Sequence, residues 1–168
     1  MNYCRRCGAP LSQSHAHSYT CSNGHAIFAN SSPTVGIFFL TETGDILLSE
    51  RGIEPRKGML DSFGGFVDHE ESFEHAAQRE LHEELGLTPH DYEPLSYLCS
   101  GVGHYPYQGE TIPILSCFYW TQLKPNVTPQ PADDVAAIRQ LPLHAVDFAE
   151  LHDTDIREGV AALQALFR

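Results

Sequence analysis

Between Ser72 and Gly86 the chain reads S-F-E-H-A-A-Q-R-E-L-H-E-E-L-G, a helix whose own charges oppose it. Ser72 is a natural N-cap and Gly86 a natural stop. Glu80, Glu83 and Glu84 fall at helical spacings of three and four, where like charges repel by about 0.2–0.5 kcal/mol per pair. At roughly 100° per residue, Phe73, Ala76, Ala77 and Leu81 define the face turned to a core. Glu80 and Glu84 fall in the middle of that arc and Glu83 at its edge. His75, Gln78 and His82 take the opposite, wet face. A solvated acidic surface is the ordinary reading of a glutamate-rich helix, and it fails for Glu80 and Glu84. Buried carboxylates must be protonated, paired or bound to a cation. Three converging carboxylates suit a hard divalent ion such as Mg²⁺ or Mn²⁺, which prefers oxygen ligands.

Strand patterns surround this helix. "TVGIFFLTETGDILLSE" reads as two strands, Val35–Leu40 and Ile46–Ser49, around a turn at Thr43-Gly44-Asp45. Arg51–Glu71 reads mostly as loop. Leu95–Cys99, Ile112–Thr121 and Val135–Gln140 read as further strands, and Asp155–Phe167 as a C-terminal helix with Ile156, Val160, Leu163 and Leu166 in register. Strands mixed with two helices predict an α/β sandwich.

From Gly65 to Leu87 the sequence is G-F-V-D-H-E-E-S-F-E-H-A-A-Q-R-E-L-H-E-E-L-G-L. It resembles the Nudix box, G-x5-E-x7-R-E-U-x-E-E-x-G-U with U aliphatic. The fixed positions match at Gly65, Glu71, Arg79, Glu80, Leu81, Glu83, Glu84, Gly86 and Leu87. The resemblance implies an α/β/α sandwich over residues 31–168 and a hydrolase of nucleoside diphosphates linked to another moiety. It implies that Glu80, Glu83 and Glu84 hold catalytic Mg²⁺ or Mn²⁺, and that Glu71 and Arg79 form an ion pair pinning the loop to the helix. Gly65 would give the loop its tight turn. Phe63 stands where many members have proline. Glu80 is one candidate base. Asp133 and Asp134 lie in a loop where the family often adds an acidic ligand, and a solvated loop pair is the competing reading. Glu110 is a weaker candidate. Arg51, Arg56 and Lys57 are in reach of substrate phosphates or simply surface.

Residues 1–30 differ from the rest, being rich in Cys, His, Ser and Asn. Cys4, Cys7, Cys21 and His25 follow the pattern C-x2-C-x13-C-x3-H, which suits tetrahedral zinc. His15 and His17 are alternatives for the fourth ligand. So short an appendage has too small a core to fold unaided, which makes the zinc structural. The segment is similar to the zinc ribbon before some Nudix domains, notably NADH pyrophosphatases. Cys99 and Cys117 lie in apolar runs and read as core residues.

NADH pyrophosphatases carry SQPWPFP after the box. The corresponding stretch here is SGVGHYPYQG, Ser100–Gly109, so ADP-ribose and other nucleotide sugars stand open beside NADH. Tyr105 and Tyr107 are placed to stack a base, or form a tyrosine-rich β-loop without a ligand. A net charge of −12 over 168 residues disfavours long nucleic acid and anionic membrane as partners. No segment reads as a signal peptide or membrane span, and the five cysteines read as thiols or metal ligands, which predicts a cytoplasmic protein. Monomer and homodimer both stay open. So does a catalytically silent module that senses a nucleotide or binds a partner. Silent members typically lose a box glutamate, and this chain keeps them all.

Overall fold

The computed structural model describes residues 2–168. The chain falls into two compact units that divide after Ser31. The first is an antiparallel three-stranded sheet, β1 (Leu11–His15), β2 (Ser18–Cys21) and β3 (Ala26–Phe28). Among the described residues its core is Cys4, Cys21 and Ile27, with Ala9 and Leu11 against them. The sequence pattern of this stretch had shown no strands, because its residues are short and polar.

The second unit is a curled mixed sheet with a helix on each face. Its strands are β4 (Ser32–Leu40), β5 (Asp45–Arg51), β6 (Leu60–Asp61), β7 (Ser96–Tyr107), β8 (Glu110–Thr121) and β9 (Val135–Pro142). They run in the order β6-β5-β4-β8-β7, with β9 on β5. β4 and β8 pair in parallel and the other ladders are antiparallel. The helices are α1 (Phe73–Leu85) and α2 (Thr154–Leu166).

β4 shows how one strand serves two cores. Successive side chains point to opposite faces. Val35, Ile37 and Phe39 join Ala76, Ala77, Leu81 and Leu85 of α1. Phe38 and Leu40 join Ile156, Val160 and Leu163 of α2. Both faces are covered, so the strand reads as an unbroken apolar run.

β7 extends well beyond the expected Cys99. Gly101, Gly103 and Pro106 weaken the strand signal, but pairing with β8 holds from Ser96↔Trp120 to Tyr107↔Glu110. Tyr105 and Tyr107 are therefore strand residues of a long hairpin and not loop residues. Cys99 and Cys117 are half-buried at the margins of the two cores, not fully enclosed. No helix among the described residues is long and apolar enough to cross a membrane.

Candidate active site

α1 is framed as its sequence requires. The Ser72 side chain accepts from the His75 amide at 3.2 Å, and the left-handed Gly86 ends the helix with Leu87 N–H on the Leu81 carbonyl at 3.1 Å. Glu84 is 4% exposed, Glu80 half-buried and Glu83 exposed. The two glutamates that the wheel turns inward are the two that are shielded, and the one at the edge of the arc is exposed.

The preceding loop reaches under the helix. Phe63 and Ile37 exchange both backbone hydrogen bonds, and the Val35 amide donates to the Gly65 carbonyl at 2.9 Å. A proline at position 63 would lack the N–H that bonds Ile37. Phe63 is also fully buried, edge-on to Phe39 at 5.8 Å. The departure from the common proline is therefore compensated by a ladder bond and an aromatic contact. Gly64 has φ +133°, and a Cβ there would run into the Val35 carbonyl. Its amide donates to Glu84 Oε2 at 2.8 Å. A Cβ on Gly65 would lie 2.7 Å from Glu80 Oε1. Both glycines let the backbone approach the two inner glutamates.

Arg79 ties the loop to the helix. It grips Glu71 with Nε and Nη2 at 3.1 and 3.0 Å, reaches Glu80 at 2.8 Å and Glu83 at 3.0 Å through Nη1, and bonds the Phe66 carbonyl at 2.9 Å. Its grip holds the Glu71 carboxyl below the usual range.

The loop between β8 and β9 adds a further acid. The Ala132 amide donates to the Glu84 carbonyl and the Gln130 amide to the Leu85 carbonyl, so residues 130–132 follow the end of the helix. This sets the Asp134 carboxyl near that of Glu84, close enough to oppose its ionisation. Burial, with Asp134 beside it, pushes the Glu84 carboxyl up to about 10. Burial also raises Glu80. Asp133 is exposed, at a left-handed turn with φ 51°, outside this group. Glu110 is exposed at the β7–β8 hairpin, and Lys57 is exposed as well.

A cavity of about 70 Å³ lies beyond Gly64 and Gly65, on the α2 side of β4 and β8. Tyr105 lines it and Tyr107 does not. The Tyr105 ring is edge-on to Phe66 at 5.5 Å. Arg51 turns out to be a buried residue rather than surface, and pairs with Asp61 at 2.7 Å. Burial pushes the Asp61 carboxyl up to about 6 against the pull of Arg51. Asp61, Ser116, His152 and Asp155 also line this space, and no local pattern marks them. Arg56 pairs with Asp153 at 3.7 Å and donates to the His152 carbonyl.

In the first unit, ligand atoms of Cys4, Cys7, Cys21 and His25 all lie within 4.8 Å of one another. Cys4 Sγ is 3.6 Å from His25 Nδ1, and Cys7 Sγ is 3.8 Å from Cys21 Sγ. A tetrahedron with Zn–S arms of about 2.3 Å has edges of about 3.8 Å, so the donor set fits zinc. The Ala9 amide and the Asn23 side chain lower the Cys7 thiol to about 6, which favours the thiolate a metal needs. His15 and His17 belong to the β1–β2 hairpin, outside the cluster.

A loop–helix–loop that gathers acids beneath a curled mixed sheet, with a second helix on the far face, is a Nudix architecture. Residues 30–163 match the family model described as NUDIX domain, and the chain belongs to that family. It is 31% identical over 127 residues to a human protein, NAD(P)H pyrophosphatase NUDT13, mitochondrial. That alignment covers 75% of this chain and 34% of the human protein, so the chain spans about a third of that relative. The fold is similar to a crystal structure of a NUDIX hydrolase from Nitrosomonas europaea, with TM-score 0.66 and 18% identity over 98% of this chain and 89% of that one. It is also similar to the NUDIX domain of Shewanella oneidensis NrtR complexed with ADP ribose, with TM-score 0.64 and 20% identity over 84% and 91% of the two chains.

Proposed function

We propose that this chain is a divalent-metal-dependent hydrolase that cleaves the diphosphate of a nucleoside diphosphate linked to a second moiety, in the NADH or ADP-ribose class. The observation that carries this reading is the crowding of Glu80, Glu84 and Asp134. Burial leaves the Glu84 carboxyl with far too high a pKa to ionise unaided at neutral pH. An all-oxygen, acidic donor set fits Mg²⁺ or Mn²⁺. Glu80, Glu83 and Glu84 are its proposed ligands, with Asp134 beside them and Asp133 outside. Bound there, the ion would neutralise diphosphate charge and acidify an attacking water.

The chain's own groups do the rest. Gly64 N–H fixes Glu84, and Arg79 fixes Glu80 by its Oε1, which leaves Oε2 free. Glu80 Oε2 takes the proton as water oxygen bonds to one phosphorus, and the bridging oxygen departs with the other phosphate. Asp134 is the alternative base. Glu71 and Arg79 hold the loop and do not touch the reaction. The human relative's name and the ADP-ribose held by the Shewanella domain support the substrate class. Zinc on Cys4, Cys7, Cys21 and His25 is proposed as structural, in a ribbon of residues 1–30 preceding a catalytic domain of 31–168. The cytoplasm is the proposed location, in keeping with cysteines used as thiols and metal ligands.

The test is turnover of NADH, NADPH, ADP-ribose and nucleotide sugars with Mg²⁺ and with Mn²⁺ in ¹⁸O-water. Label in one phosphate fragment supports attack at phosphorus and names the atom hit. No turnover of any diphosphate with either metal favours the silent sensor.

A further inference from the structure

The cavity beyond Gly64 and Gly65 contains an atom that the fold does not use. His152 is 4% exposed, and its Nε2 has no hydrogen-bond partner among the described residues. A buried, unpaired ring nitrogen forfeits the hydrogen bond that water gave it, which is a penalty without a structural return. The segment around it is held firmly. The His152 amide donates to the Leu60 carbonyl at 2.8 Å, and Leu151 pairs with Leu60 in parallel. That bridge sets His152 beside Asp61, with Nδ1 at 3.7 Å from Asp61 Oδ2. Burial, with Arg51 and Arg56 nearby, lowers His152 to about 4, so the ring is neutral at pH 7. The Asp61 carboxylate near Nδ1 favours the tautomer with the single ring proton there, in which Nε2 carries a lone pair.

The rest of the wall has the same character. Asp155 is 2% exposed, and its Oδ2 accepts from Ser116 Oγ at 2.5 Å. Ser116 Oγ is 2.7 Å from Thr34 Oγ1. Asp61 neutralises Arg51. The floor is Ile114, Phe118 and Ile156. Such a space offers acceptors and apolar surface, and with Arg51 matched by Asp61 it is the Asp155 carboxyl that disfavours a second anion. It shares the Gly64–Gly65 wall with the carboxylate cluster, so the group that enters is the one attached directly to the diphosphate.

We propose that this cavity is a subsite for the pentose next to the cleaved diphosphate, and that His152 Nε2 accepts a hydrogen bond from one of its hydroxyls, making His152 a specificity-determining residue. The proposal rests on the hydrolase reading for the position of the diphosphate. The ligand class is a ribosyl or similarly hydroxylated ring without a phosphate on the hydroxyl that is read.

The test compares the zinc-loaded full chain with His152→Leu and His152→Gln. Leucine fills the site without an acceptor, and glutamine keeps one. The probes are ADP-ribose and analogues lacking one ribose hydroxyl at a time. Binding is read by calorimetry before any ion is added to the carboxylate site, and kcat/KM is read afterwards with Mg²⁺. One missing hydroxyl should weaken wild-type binding roughly tenfold. His152→Leu should weaken ADP-ribose by the same factor and bind that deoxy analogue no worse than wild type does. His152→Gln should recover part of the discrimination. His152→Leu should also melt higher than wild type, since an unpaired buried nitrogen is removed. Equal losses for ADP-ribose and every deoxy analogue would mean a packing role and overturn the proposal. Unchanged binding in His152→Leu, or no binding of ADP-ribose to wild type, would overturn it too. Coupled binding losses without any turnover would keep the subsite and sink the hydrolase reading.

Discussion

Glu84 concentrates the conflict between stability and chemistry in one side chain. Its carboxyl is buried, faces Asp134 and is held by a single backbone amide. Glu84→Gln keeps that acceptor, cannot ionise to meet a cation, and does not have to be protonated in order to be buried. Turnover should fall at least about a hundredfold, by analogy with loss of a group aimed at the reacting charge. The melting temperature measured without divalent ion should rise. Near-normal turnover would remove Glu84 from the machinery. A second pair of residues opposes itself in pH. Asp61 binds a proton more tightly folded than unfolded, so its contribution is present below about pH 4 and lost as pH rises through about 6. His152 is the reverse: its contribution is present above about 6.5 and lost as pH falls through about 4. In wild type the two slopes largely cancel. Melting temperatures between pH 4 and 7 should fall on acidification more steeply in Asp61→Asn than in wild type. In His152→Leu they should fall less or rise. Parallel curves for all three proteins would contradict these assignments.

The loop–helix–loop around α1 behaves as one part. Ser72→Ala removes its N-cap and should cost about 1 kcal/mol by denaturant titration, with turnover little changed. Gly65→Ala has the opposite signature. The new Cβ meets Glu80 Oε1, which Arg79 holds in place, so the carboxylate must move. An activity loss of about ten- to a hundredfold is expected, with a melting temperature within a few degrees of wild type. A normal kcat in Gly65→Ala would mean that Glu80 has room to spare. This part was legible in the sequence because its logic is local. Caps, apolar arc and inward glutamates lie within one helix, and spacing reports them. The α2 side was not legible. Asp61, Ser116 and the His152/Asp155 pair come from three separate segments, brought together by the Leu60–Leu151 bridge and the Thr34↔Ser116 register. Nothing within ten residues of any one segment announces the other two. Tyr105 and Tyr107 illustrate the boundary. They stand two apart on one strand, and only the strand pairing decides that the first reaches the cavity and the second lies beyond it.

The two units differ in what keeps them folded. The first has a core of three buried residues, too few to offset the entropy of ordering its chain. Purified protein should carry about one zinc per chain. Chelation, or Cys4→Ser, should abolish amide-exchange protection in β1–β3 and leave that of β4 and β8 in place. Protection of β1–β3 that survives metal removal would refute a structural zinc. In the second unit, β4 has the acid cluster and α1 on one face and the recognition cavity and α2 on the other. A sheet is a partition as well as a scaffold. Replacements at Ser116, His152 or Asp155 alter one chamber without repacking the residues that touch α1, whereas Tyr105 leans on Phe66 in the loop that Arg79 holds. A library confined to those three positions therefore explores new ligands while the proposed bond-breaking machinery keeps its place, and such a wall would let a lineage change its diet without relearning how to cut.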